Sequence, residues 1–298
     1  MENIKKTCIV SCPISTRSGY GARSRDFVRA LISVRPDWDI QILSQRWGNC
    51  PMDALKVGDD DDLLNRILIP TGKESKPNVW IQITVPNEFQ PVGDYNIGVT
   101  AGVETTIMPP ECLEGINRMD KILTSSQFSK DVMKASIYDK KDEKTNALIS
   151  KLELSTNVEV LFEGIDTNIY DNKKPSEPRV DEVLSSIDES FCYLFVGHWL
   201  KGDFGHDRKN IGGLIWNFLN VFKGKKNPPA LILKTSRGNT SLIDRVGLRD
   251  LIKEIKDQVG ESKLPNIYLL HSDLTDIEMN ALYNHPKVKA HVSFTRGE

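Results

Sequence analysis

Residues Tyr193–Ser236 read YLFVGHWLKGDFGHDRKNIGGLIWNFLNVFKGKKNPPALILKTS. The apolar run Tyr193–Trp199 predicts a buried strand, and a polar loop follows it. Leu214, Ile215, Phe218, Leu219 and Phe222 then repeat at helical spacing over Ile211–Phe222, and Ala230–Lys234 predicts a second buried strand. The loop gathers Lys201, His206, Asp207, Arg208 and Lys209, with the Arg208–Lys209 pair just ahead of the helix. In a parallel α/β sheet, the space beyond a strand's carboxyl end and at a helix N-terminus is where phosphate binds. The expectation is a loop that holds the diphosphate of a nucleotide-linked substrate.

The same alternation continues downstream. Leu242–Val259 predicts a helix and Ile267–His271 a strand. Thr275–Asn284 predicts a short helix, with Thr275 as cap and Glu278 completing a capping box. Ala290–Phe294 predicts a last strand before TRGE. Apolar strands alternating with amphipathic helices mean a doubly wound α/β domain. A sheet that stops on a strand with no covering helix leaves an edge and an apolar face, so the expectation is an incomplete second domain, from a truncated or fragmentary sequence.

Upstream, Thr7–Ser11 predicts a strand, followed by PISTRSGYGARSRDFVRALISV. Pro13, Gly19 and Gly21 break structure, and from Ser24 the residues Phe27, Val28, Leu31 and Ile32 fall on one helical face. This is strand, glycine loop, helix. With only two glycines it is not a G-x-G-x-x-G fingerprint. It reads either as a tight turn or as a loop whose N–H groups approach an anion or sugar. Asp39–Leu43, Val79–Thr84, Tyr95–Thr100, Lys121–Thr124 and Val158–Phe162 predict further strands. Glu104 sits just past a strand end, where an acidic residue faces the crevice or merely solvent. Helices are predicted at Glu111–Arg118 and, capped by Ser126, at Gln127–Ile137. The Gly58–Asp62 acidic run lacks the spaced ligands of a calcium loop and reads as a solvated helix start. Asp139–Lys144 reads as an exposed charged loop.

A chain of 298 residues exceeds one ordinary domain. Hydrophobic periodicity lapses over EGIDTNIYDNKKPSEP, which reads as a linker. The expected organisation is an N-terminal domain over 1–163, a linker over 164–178 and a second domain over 179–298. A net charge of −2 argues against general nucleic-acid binding, which wants a strongly basic face. The N-terminus has too short an apolar run for a signal peptide, and no stretch approaches the roughly 18 apolar residues of a membrane helix. Peripheral membrane contact stays open. Five scattered cysteines without an export signal fit reduced thiols in a cytoplasm. Cys8 and Cys12 lie on a strand and its end without two further zinc ligands nearby, so they read as structural thiols.

Four stretches together resemble the group 1, family-4-like glycosyltransferases of the GT-B fold: SGYGARSRDFVRAL, ETTIMPPE with MDKILTSSQFSKDV, FEGIDTNIY, and FVGHWLKGDFGHDRKNIGGLIWNF with DLTDIEMNALYNHPKVKAHVSFTRGE. Each alone is weak, but their order and spacing span nearly the whole chain. The resemblance implies two tandem Rossmann-like domains. It also implies retaining transfer of a sugar from a nucleotide-diphosphate donor, held by the second domain, to a carbohydrate or other hydroxyl acceptor at the first. It implies no cofactor and no metal, since positive side chains and helix N-termini stabilise the leaving diphosphate.

Carried over, Lys209 matches the lysine on the diphosphate, with Arg208 beside it. His198 stands where the family has arginine, and a neutral imidazole cannot replace a guanidinium fork; Arg208 or Lys234 would then supply that charge. Glu298 matches the first glutamate of the E-x7-E motif, on the donor sugar. Ser272 and Leu274 match the loop against the nucleotide base. Gly19, Gly21 and Glu104 match the first-domain face of the cleft. No catalytic base is named, and in enzymes of this fold the donor phosphate itself can take the acceptor proton. With the second glutamate absent, the expected activity of residues 1–298 alone is little or none. A nucleotide-sugar epimerase and a non-catalytic carbohydrate- or nucleotide-binding protein are the alternatives.

Overall fold

The computed structural model describes residues 5–69, 71–72, 75–141, 145–173, 177–199, 207–260 and 263–295. The chain divides into two compact units, Met1–Glu163 and Gly164–Glu298.

In the first unit the elements run β1 (Thr7–Cys12), α1 (Gly19–Val34), β2 (Asp39–Ser44), α2 (Asp61–Leu64), β3 (Val79–Ile83), β4 (Tyr95–Thr100), α3 (Pro110–Asn117), β5 (Lys121–Thr124), α4 (Gln127–Ala135), β6 (Tyr138–Lys141), β7 (Leu148–Leu152) and β8 (Asn157–Val160). Six of these strands form a parallel sheet in the order β2-β1-β3-β4-β5-β8. Successive strand residues serve opposite faces. Cys8, Val10 and Cys12 pack with Val28 of α1 on one side, while Ile9 and Trp80 join Leu113 and Ile116 of α3 on the other. Burial pushes the thiols of Cys8 and Cys12 up to about 12, so both behave as core side chains.

The second unit contains α5 (Pro178–Ser185), β9 (Cys192–Val196), α6 (Ile211–Phe222), β10 (Ala230–Lys234), α7 (Leu242–Val259), β11 (Ile267–Leu270), α8 (Asp276–Asn284) and β12 (Val288–His291). Its parallel sheet runs β11-β10-β9-β12. Phe195, Leu231 and Leu233 meet α6 and α7, whereas Leu194, Ala230 and Ile232 meet α5 and α8. Helices therefore cover both faces, as the continuous apolar strands require.

Several local expectations change. The glycines expected to form a loop before α1 are its first turn. Ser18 is the N-cap and its hydroxyl accepts from Gly21 N, which starts the helix at Gly19 rather than Ser24. The Asp139–Lys144 loop is corrected in its described part: Tyr138–Lys141 pairs antiparallel with Leu148–Leu152. This hairpin leaves no apolar alternation to read, because much of it faces water. The last strand lies at Val288–His291, set by its pairing with Cys192–Leu194 rather than by the apolar run Ala290–Phe294. The acidic run is engaged with the fold: Asp60 and Asp62 grip Arg29 of α1 at 2.7 and 2.9 Å. The segment read as a linker is laid against α8, with Tyr170 Oη 3.1 Å from Asp276 Oδ1 and Asp171 N donating to Asn280 at 3.2 Å. Among the described residues, no helix is long and apolar enough to cross a membrane.

Candidate functional site

In an open parallel sheet, the crevice opens where strand order reverses, beyond the carboxyl ends. In the second unit that point falls between β9 and β12, because β9 continues in chain order to β10 on its other side. Backbone pairing runs past the end of β9: Gly197 N donates to Lys234 O at 3.1 Å and Trp199 N to Ser236 O at 2.8 Å. His198 lies between these two anchor points. Trp199 is buried in the core beside Leu214 and Leu248, which pins the loop as it leaves the sheet.

The imidazole Nδ1 of His198 lies 3.1 Å from Ser236 Oγ. Burial, then the neighbouring ammonium of Lys234, and more weakly that of Lys209, hold its pKa below the ordinary histidine value; Ser236 and Asp244 act in the opposite sense. The free protein thus presents a neutral imidazole among two lysines. Three sequence-predicted residues from separate elements (His198, Lys209 and Lys234) are gathered in one neighbourhood.

The N-terminus of α6 is built locally by Asp207 and Asn210. Asp207 Oδ1 accepts from Ile211 N at 3.2 Å, and Asp207 O accepts from Asn210 N. Asn210 adopts the left-handed conformation at φ 48°, which asparagine tolerates better than most residues. A Cβ on Gly213, in the first turn of α6, would lie 2.4 Å from Asn210 Oδ1, so a larger residue there would displace the Asn210 side chain. Arg208 is exposed and Lys209 half-buried at this turn. Thr235, 2% exposed, keeps a buried hydroxyl without a hydrogen-bond partner directly after Lys234. Among the described residues, no three His, Cys, Asp or Glu side chains gather as a metal ion would need.

Ser272 and Leu274 lie on the loop after β11. Ser272 Oγ accepts from Arg179 Nη2 at 2.9 Å, and the same guanidinium meets Glu278 at 2.8 Å. Leu274 packs against the apolar core near α5 and α8, so its side chain serves the fold. Glu298, Lys201 and His206 lie outside the described residues.

In the first unit, Gly19 opens α1 beside open space, where an added methyl would meet nothing within 4 Å, whereas a Cβ on Gly21 would sit 2.2 Å from Thr16 O. Glu104 is exposed on the loop after β4 and raises the Tyr20 pKa slightly through its charge; burial is the main cause of that rise. Sequence reasoning missed Tyr20 and Trp47. Their rings stack at 4.1 Å, and Tyr20 Oη accepts from Ala101 N at 3.1 Å beside Thr100. Tyr20 was visible only as a spacer between glycines. It also missed Ser236 and Asp244, whose partners are remote in sequence.

Two parallel-sheet Rossmann-like units in tandem define a fold of the GT-B type, and a structure comparison agrees. A solved structure described as trehalose-6-phosphate from E. coli bound with UDP-2-fluoro glucose matches at TM-score 0.52 and 12% identity, over 98% of this chain and 78% of that one. Trehalose-6-phosphate synthase OtsA matches at 0.47 and 13%, over 93% and 76%. The N-terminal domain of Candida albicans trehalose-6-phosphate phosphatase matches at 0.43 and 14%, over 93% and 74%. No family model and no curated protein matches.

Proposed function

We propose that this chain is a retaining glycosyltransferase of the group 1 kind, which moves a sugar from a nucleotide-diphosphate donor to a hydroxyl acceptor such as a glycan, lipid or protein. The observation that supports the reading is that the charges of Lys234, at the end of β10, and of Lys209, ahead of α6, both act on His198 just past the carboxyl end of β9. A diphosphate brings negative charge and many acceptor oxygens, and it leaves with one more negative charge than it held as the donor. Ammonium groups held beside a helix N-terminus favour that departure without reorganising. Lys209 and the exposed Arg208 are assigned to the leaving diphosphate, with Lys234 completing the positive wall. Glu298 is assigned to the donor sugar and Ser272 to the base side. No metal or other cofactor is assigned. The first unit, with Gly19, Gly21 and Glu104 near Tyr20, is assigned to the acceptor, and the cytoplasm is the assigned setting.

The solved structure with UDP-2-fluoro glucose makes a UDP-hexose the first donor to test. A thermal-shift panel of UDP-, GDP- and ADP-sugars is expected to single out one donor, because a ligand that binds only the folded state raises its stability. Lys209→Ala is expected to abolish that shift, and donor hydrolysis or transfer follows from the donor that binds. Binding with no turnover under any acceptor supports the non-catalytic nucleotide-sugar binder instead. No shift with any nucleotide sugar overturns the donor reading.

A further inference from the structure

The sheet of the second unit ends at β11, on the side away from the crevice between β9 and β12. Leu231 N donates to Asn266 O at 3.0 Å, and Leu231 stands opposite Ile267 in the parallel register. In that register Tyr268 and Leu270 turn their N–H groups to β10, while Ile267 and Leu269 turn their N–H and C=O groups outward. Among the described residues, nothing pairs with these outward groups. Edge strands are commonly guarded by a charge, a proline or a bulge, yet β11 reads IYLL and carries none of these.

A groove of about 650 Å³ runs between this edge and the flank of α7. Arg245, Arg249, Lys253 and Lys256 line it from the helix, and Ile267 and Leu269 line it from the strand. The four cations recur at i, i+4, i+8 and i+11, which places them in one stripe along the helix. Among the described residues, none of the four forms an ion pair. Like charges four apart on a helix destabilise it, so the stripe gains from an anionic partner. Asp250 and Asp257 also line the groove; both are exposed, and two carboxylates against four cations leave it net positive.

We propose that this groove docks an extended acidic peptide segment of a partner protein, added to β11 as a further strand, with its carboxylates against Arg245, Arg249, Lys253 and Lys256. Alternate residues of a strand share one face, and Ile267 and Leu269 mark the α7 face of β11 by packing with that helix. Carboxylates at every second position of the added strand therefore meet the stripe. In this mode main-chain hydrogen bonds supply affinity and alternate side chains supply selectivity. A polyphosphate or an anionic lipid surface meets the cations but offers no spaced row of donors to the outward carbonyls. A second copy pairing edge to edge would bring two basic stripes together. An acidic polypeptide satisfies the charge, the N–H groups and the carbonyls at once.

The test uses the whole chain and a fluorescent peptide of alternating glutamate and valine, followed by anisotropy. Saturable binding that weakens as salt rises is expected. R249E and K253E together, both at exposed positions, are expected to weaken it by about tenfold or more, and a thermal melt checks that this variant is folded. The same peptide N-methylated throughout keeps its carboxylates but loses every main-chain donor, and it is expected not to bind. Hydrogen exchange read by NMR needs no variant. The amides of Ile267 and Leu269 are expected to exchange fast in the free protein and to be protected by the peptide, while those of Tyr268 and Leu270 are slow in both states. Absence of saturable binding, or equal binding of the N-methylated peptide, overturns the proposal. Equal binding of polyphosphate or of phosphatidylserine vesicles, with Ile267 and Leu269 unprotected by the peptide, overturns it in favour of a general anion surface. A dimer in sedimentation whose Ile267 and Leu269 amides are already protected overturns it in favour of a second copy.

Discussion

Nε2 of His271 lies 2.8 Å from Oδ2 of Asp244, and the two side chains are only 3% and 7% exposed. The same oxygen accepts from Arg237 N at 2.9 Å, and Asp244 N donates to the N-cap Ser241 Oγ at 3.2 Å. One carboxylate therefore fastens the loop after β10, the first turn of α7 and the end of β11. Because a carboxylate can only accept, Nε2 of His271 carries the proton in this contact. The loop it fastens includes Ser236 and begins directly after Lys234, so Asp244 positions the crevice wall from behind.

Asp244→Asn tests this fastening. It retains the shape but exchanges a charged acceptor for an amide that cannot satisfy two donors on one oxygen as strongly. The expected loss is roughly 1–3 kcal/mol, the cost of leaving a buried polar group poorly paired. Urea unfolding of the whole chain measures it, and an unchanged midpoint for the second unit would count against the arrangement.

Gly19 and Gly21 look equivalent in the sequence but are expected to respond oppositely to alanine. The Gly21→Ala methyl would meet the backbone of Thr16 at 2.2 Å, and that carbonyl cannot withdraw because Arg25 Nη1 also donates to it at 3.0 Å. A loss of roughly 2–4 kcal/mol is expected from overpacking. Gly19→Ala meets nothing within 4 Å and stays in a helical turn, so it is expected to stabilise by about 0.4–1 kcal/mol through the unfolded chain. Paired thermal melts decide the contrast.

The electrostatics around His198 can be checked without any ligand. Burial and the charges of Lys234 and Lys209 depress its pKa. Lys234→Ala is expected to move the His198 titration upward, because one positive neighbour has gone. Lys209→Ala is expected to move it the same way by less. An NMR titration that shows no movement in either variant would mean that these side chains do not share the crevice.

Arg29 bridges α1 to the acidic run, with a hydrogen bond that holds the Asp62 carboxyl below its usual range. A depressed carboxylate contributes stability above its unfolded pKa and loses it as pH falls through the folded value. Arg29→Ala is therefore expected to cost about 1 kcal/mol at neutral pH, a modest figure because both partners are partly exposed. The difference from the unaltered chain is expected to shrink as pH falls through the depressed folded-state values of Asp60 and Asp62, where the carboxylates become protonated. Denaturation midpoints at two pH values test the sign.

Where an element's signal was local, it was readable. Ile211–Phe222 and Leu242–Val259 carry their buried faces at helical spacing, and Ser126 and Thr275 announce their caps through side chains three residues from the N–H groups they accept. The hairpin Tyr138–Lys141 with Leu148–Leu152 was not readable, because exposed strands need no apolar alternation. In the candidate site, Lys209 and His198 stood out by chemical type and by place after a strand. Tyr20, Trp47, Ser236 and Asp244 did not, since each matters through a partner far away in the chain.

The sequence by itself determined the alternation of buried strands and amphipathic helices, and with it the parallel α/β class, because helical and strand periodicities are written in neighbouring residues. Tertiary structure alone decided the strand order β11-β10-β9-β12, which sets where the crevice opens. It also decided that His198 sits among Lys209, Lys234 and Asp244. That grouping depends on which strand ends lie side by side, and pairing between distant segments has no local periodicity to reveal it.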